Sequence, residues 1–159
     1  MNLQARNASP FSIPNIRLFI AFRVFFNSRF YYPVFTILFL DFGLSVAQFA
    51  LLNAIWAATI VLAEVPSGAL ADIVGRKRLL VFATATMIVE IGIITFIPRV
   101  DPWIIFMVFM VNRVLSGLAE AAASGADEAI AYDSLTADGN PEHWGNVLEV
   151  LTRFQSIGF

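Results

Sequence analysis

Arg113, Gly117, Glu120, Ser124 and Asp127 follow one another at intervals of four, three, four and three residues. On a helix turning about 100° per residue, that spacing brings all five within about 40° of one line. A cation, two carboxylates and a hydroxyl then share one face, with Glu128 just beside it. Such a face could bind an anionic solute. It could also carry a proton on Glu120, with Arg113 as the cation that tunes it. Arg23, Asn27 and Tyr31 recur every four residues among Phe19, Phe25, Phe26, Phe30 and Tyr32, an apolar wall with a few placed polar groups, as in small-molecule sites. Each set has a plainer reading. Arg113 and Glu120 could pair with each other or with a neighbour to hold a bundle together. Arg23 could extend along apolar surface toward lipid headgroups.

Other chemistry is excluded by residue type. The chain has no Cys and one His, His143, in a polar stretch. A thiolate nucleophile, a Cys-ligated metal and a His/Cys cluster are therefore ruled out, and no nucleophile–base pair stands out. The expectation is a protein that is not an enzyme, with no cofactor, no metal and no nucleic-acid partner. Glu64 is expected to pair with a basic residue of the loop after it. Glu90 stands in mid-segment among threonines with no partner in view and is expected to be neutral.

These residues lie in segments of membrane character. The 159-residue chain is 58% hydrophobic and 14% charged, where soluble domains are about one quarter charged. Its apolar runs approach the roughly 20 residues that cross a bilayer. Spans are expected at 16–40, 46–71, 79–97 and 103–135, with Asn15 capping the first, Pro33 kinking it and Pro66 near the end of the second. Residues 1–15 are a polar N-terminal segment without the features of a cleaved signal. Residues 136–146 read as a polar loop. A last apolar segment, 147–159, would cover only about 20 Å at 1.5 Å per residue, so it is expected to be a truncated fifth span. Gly117, Ala121, Gly125 and Ala129 recur every four residues, as do Ala50, Ala54 and Ala58. Small-residue stripes let membrane helices approach closely, so both are expected to be packing surfaces.

Between the second and third spans lies Gly68-Ala69-Leu70-Ala71-Asp72-Ile73-Val74-Gly75-Arg76-Lys77-Arg78, read as a tight hairpin. Arg6, Arg17, Arg76, Lys77 and Arg78 flank one side of the expected bundle and Arg99 the other. Short loops rich in Lys and Arg stay cytoplasmic, so the N-terminus is expected inside and Asp41 and Asp101 outside, in the cell membrane.

The positions Gly68, Leu70, Ala71, Asp72, Gly75, Arg76 and Lys77 resemble the signature loop between helices 2 and 3 of the major facilitator superfamily. Arg113-Val114-Leu115-Ser116-Gly117 resembles the family's Arg-and-Gly pattern in helix 4. Glu64-Val65-Pro66-Ser67-Gly68, Ser124-Gly125-Ala126-Asp127-Glu128-Ala129 and Tyr132-Asp133-Ser134-Leu135 resemble a bacterial branch of it. The resemblance implies an all-α, polytopic bundle: the first four helices and part of the fifth of an N-terminal six-helix half. The partners it implies are a small-molecule substrate and the C-terminal half of the same protein, within the lipid bilayer that composition requires; protons are a further partner if the carboxylates of the fourth span couple transport. It implies alternating access, in which Asp72 latches onto a helix N-terminus of the other half and Arg76 pairs with Asp133. It also puts helices 1 and 4 along the transport path, which favours Arg113, Glu120 and Asn27 over Glu90; Arg23 and Asp127, on the same two helices, are counted with them as path or coupling candidates. An uncoupled facilitator of an anionic solute, or a scaffold or sensor that keeps the fold, are the alternatives.

Overall fold

The computed structural model describes residues 9–28 and 34–157. Among them every regular element is helical: α1 (Pro14–Asn27), α2 (Phe35–Asp41), α3 (Val46–Val74), α4 (Arg76–Phe96), α5 (Pro102–Ala123), α6 (Ala126–Ala137) and α7 (Trp144–Ile157), with short 3-10 turns at Pro10–Ser12 and Pro141–His143. Among the described residues three stretches are long and apolar enough to cross a membrane: Val46–Val74, Arg76–Phe96 and Pro102–Ala137. The chain divides into two compact units, residues 31–126 and residues 1–30 with 127–159.

In the first of these units, α3 starts at a reciprocal cap. The Ser45 hydroxyl accepts from the Gln48 amide, and the Gln48 side chain accepts from the Ser45 amide, so two otherwise orphaned donors are satisfied. The helix then runs through Pro66 to Val74, past its expected end at residue 71. Residues 68–74 are therefore helix and not hairpin. The whole connection is Gly75, whose φ of +93° lies in a region that glycine adopts without steric cost, and α4 begins at once with Arg76.

α5 is the centre of this unit and packs against both α3 and α4. Ile105, Phe106 and Phe109 join Phe39, Leu44 and Leu52 in a core closed by a stack of Phe39 on Phe109, with centroids 4.2 Å apart. Further along, α5 meets α3 almost backbone to backbone. A Cβ on Gly117 would stand 2.8 Å from the Thr59 Cβ and 3.0 Å from the Trp56 carbonyl oxygen. The Ser67 hydroxyl donates to the Ala121 carbonyl at 2.8 Å across the same contact. Gly117 and Ala121 thus lie against α3, whereas Ala50, Ala54 and Ala58 are exposed. At the opposite end from Gly75, Arg99 forms an ion pair with Asp41.

The fourth expected span is not one helix. α5 stops at Ala123, Gly125 takes a φ of +75°, and α6 starts afresh at Ala126. Gly125 is therefore a break and not part of a packing stripe. The stripe from Arg113 to Asp127 does not continue along one helical face. The first expected span is interrupted too: α1 ends at Asn27 and α2 starts at Phe35, while Arg29, Tyr31 and Pro33 lie outside the described residues.

The other unit packs α1, α6 and α7 around Ile16, Phe19, Ala131, Leu135, Val147 and Leu151. Asn15 does not cap α1. Pro14 occupies the first turn, and the Asn15 amide donates instead to the Ser134 hydroxyl on α6 at 2.8 Å. Trp144 packs against Phe19 and Tyr132. α7 starts at Trp144, three residues before the expected segment. It turns Val147 and Leu151 inward and an ion pair, Arg153 with Glu149, outward.

The Gly117 contact leaves no room for a side chain. Gly117→Val should destabilise the purified protein by about 1–3 kcal/mol, the usual effect of overpacking a filled contact, and Gly68→Val, which meets nothing within 4 Å, should not. Thermal unfolding in detergent checks the pair.

Candidate functional site

Two clusters of charge are built into these helices, one in each unit. In the first, α5 presents Asn112 and Arg113 and α4 presents Glu90, all three at most 2% exposed. The Arg113 guanidinium donates to Glu90 Oε1 at 3.1 Å and to Asn112 Oδ1 at 2.8 and 3.1 Å. The Asn112 amide donates to the Glu90 backbone carbonyl at 2.9 Å. The guanidinium also lies over Phe35, 4.7 Å from its centroid, with Phe39 at 5.7 Å, a desolvated arrangement in which a cation–π contact is worth about 2 kcal/mol. The sequence expectation is corrected here. Arg113 is held by its neighbours Glu90 and Asn112, the second of the two pairings open to it in the sequence, and it is the expectation of a partnerless Glu90 that fails. With its charge met and its surface covered, Arg113 is not offered to a solute in this conformation.

In the second cluster, α1 presents Arg23 and the first turn of α6 presents Asp127 and Glu128. Arg23 forms an ion pair with Asp127 and a second with Glu128 at 2.6 Å. Its charge is therefore divided between two carboxylates of opposite character: the Asp127 side chain is 2% exposed and that of Glu128 50%. The Asp127 carboxylate also accepts from the Glu128 amide at 2.8 Å. That geometry depends on the break at Gly125, because a new helix N-terminus supplies free amides and a positive dipole end, both of which favour carboxylates. Arg23 also lies 5.9 Å from the Phe19 ring centroid.

The residues expected to form a latch lie around Gly75. Gly68 and Asp72 are on the exposed surface of α3, Arg76 is half-buried, and Lys77 is exposed in the first turn of α4. Glu64 is exposed on α3 and forms no ion pair among the described residues, contrary to expectation. Asp133 is exposed on α6, while Asn27 and Glu120 are half-buried on α1 and α5. Among the described residues no group of His, Cys, Asp and Glu could hold a metal ion.

A family model described as Major Facilitator Superfamily matches residues 17–138. The chain belongs to that superfamily. Neither a curated protein nor a solved structure gives a match. The match runs from α1 to the end of α6 and so takes in both charge clusters and the Gly75 turn. A major facilitator chain with these helices is a multi-pass membrane protein of a transporter family, whose members are generally not enzymes.

Glu90 is the residue that sequence reasoning passed over. A signal for it was present: Arg113 and Glu90 both sit in mid-segment of adjacent apolar runs, and a charge at the bilayer centre costs roughly 2.5–3.5 kcal/mol on insertion scales. Each therefore requires a counter-charge at its own depth. Arg113→Met alone should lower unfolding stability by about 3–5 kcal/mol, since it leaves a buried carboxylate uncompensated. Arg113→Met combined with Glu90→Leu should recover most of that loss. Denaturant titration of the two variants in the same detergent measures both.

Proposed function

We propose that the chain is the N-terminal part of a secondary transporter for a small molecule, working by alternating access in the cell membrane. The N-terminus and the basic turn at Gly75 lie on the cytoplasmic side in this reading, which the cation count supports. The Arg99–Asp41 pair supports it as well, since it neutralises the cation that lies at the other end.

Transport is coupled to protons through Asp127. The observation that carries this reading is the ion pair between Arg23 of α1 and the buried Asp127 of α6, with Glu128 bonded to the same guanidinium. A proton arriving at Asp127 cancels its hold on Arg23, and the cation keeps a partner in Glu128 throughout. Uptake and release of a proton therefore exchange partners without stranding a charge in the low-dielectric interior, which would cost several kcal/mol. Glu120, half-buried on α5, is a second carboxylate on the route, and Asn27 lines it. Arg113 acts by holding α4 and α5 in register. Asp72 latches the two halves by meeting a helix N-terminus of the C-terminal half, where an anion is favoured. Arg76 pairs with Asp133, and Gly75 is the turn that lets both reach their partners.

The test begins with a solute found by screening a small-molecule library for pH-driven accumulation in proteoliposomes of the whole protein. Asp127→Asn should abolish accumulation driven by the gradient and leave counterflow exchange of the labelled solute intact. Gradient-driven accumulation at the wild-type level in Asp127→Asn would remove Asp127 from coupling. The same outcome in Glu120→Gln would remove Glu120.

A further inference from the structure

Beside the Arg23 cluster, in the same unit, a groove of about 530 Å³ opens along α1 toward α7. Its wall on α1 is formed by Arg17, Ile20, Ala21, Val24 and Phe25, spaced at three, one, three and one residues, and its wall on α7 by Val150 and Phe154. Phe25 and Phe154 are 78% and 52% exposed, large aromatic surfaces left open at the lip. Among the described residues Arg17 is the one charged residue in the lining. It lies in the first turn of α1, is exposed, and has no carboxylate partner among the described residues. From Arg17 to Phe25 the groove follows the helix for about 12 Å at 1.5 Å per residue.

We infer that this groove is a binding site for one anionic phospholipid. Its parts match the parts of that molecule: a cation at one end for the phosphate, and an apolar channel leading away from it along the helix axis for an acyl chain. The volume falls in the range of about 300–1,000 Å³ typical of small-molecule sites. A water-soluble substrate would find no hydrogen-bonding side chain beyond Arg17 among the described residues of the channel. A neutral lipid would leave the guanidinium with no charge to meet. Basic pockets between membrane helices at the headgroup level recognise anionic headgroups by this combination, and Arg can engage a phosphate through two parallel donors where Lys acts as a point charge. The inference is independent of the coupling mechanism proposed above and requires only that α1 lie in a membrane.

Native mass spectrometry of the detergent-purified protein, titrated with dioleoyl phosphatidylglycerol or dioleoyl phosphatidylcholine, tests it. The wild type should retain one phosphatidylglycerol in preference to phosphatidylcholine. Arg17→Gln should weaken phosphatidylglycerol retention roughly five-fold, the fold-change equivalent to about 1 kcal/mol per basic residue at an anionic surface, and leave phosphatidylcholine unchanged. Arg17→Lys should keep most of the preference, which separates loss of charge from loss of fold. Ala21→Phe, which fills the channel, should reduce retention of both lipids. Equal retention of phosphatidylglycerol by the wild type, Arg17→Gln and Ala21→Phe would overturn the assignment. So would failure of the wild type to retain either lipid, which would mean that another part of the protein covers the groove.

Discussion

Arg113 cannot be in an apolar helix bundle alone, and the architecture of residues 31–126 follows from how its charge is met. The guanidinium needs a carboxylate at its own depth, and Glu90 of α4 supplies it. Asn112 is held in turn by the Glu90 backbone and fills part of the remaining donor capacity, and Phe35 covers the face of the cation. Buried ion pairs contribute little net stability compared with well-packed apolar residues, but breaking one is costly. Their use here is in alignment: α4 and α5 cannot slide past one another without separating a charge from its partner. α3 is then fitted to α5 roughly one to two turns further on, at Gly117 and Ala121, where close approach replaces charge as the fixing device.

The second cluster obeys the same electrostatic requirement with an opposite result. Glu90 and Arg113 are both sealed, so neither exchanges with solvent without an opening of the helices. Arg23 is partly exposed and holds one buried and one exposed carboxylate together, an arrangement that can rearrange by small steps. Gly125 makes this possible. By ending α5 it creates the amide-rich start of α6 on which Asp127 and Glu128 sit. An unbroken helix would have paired the Glu128 amide internally and left the Asp127 carboxylate without that donor.

The turn at Gly75 sets membrane topology against local helix preference. Three cations occupy the first turn of α4, where the helix dipole favours anions, and Asp72 lies in the last turn of α3, where it favours cations. Each such placement costs about 0.3–1 kcal/mol at an exposed site. No helix would choose that arrangement for its own stability. It is consistent with a turn whose charges are placed for the bilayer surface and for partners outside the helices that carry them.

Hydropathy made the helical class and the membrane setting legible from residue types alone, because lipid forces backbone polar groups into helices and sorts apolar runs by length; the family was legible only through the resemblance of the motif at residues 68–77. The interior limits of those runs were less legible. α3 continues through Pro66 to Val74 and α5 stops at Ala123, since a helix persists or breaks according to whether neighbours satisfy its ends, and no residue type encodes that. Pairings of charge were the least legible. Helical spacing puts Arg113 and Glu120 about two turns apart along α5, but it carries no information on which other helix faces either of them. Arg113 took Glu90 from the next helix along, and Arg23 took Asp127 from a segment a hundred residues away. Sequence fixes which side chains must find a counter-charge; only the packing of helices in three dimensions decides where it is found, because Coulomb attraction acts through space and not along the chain.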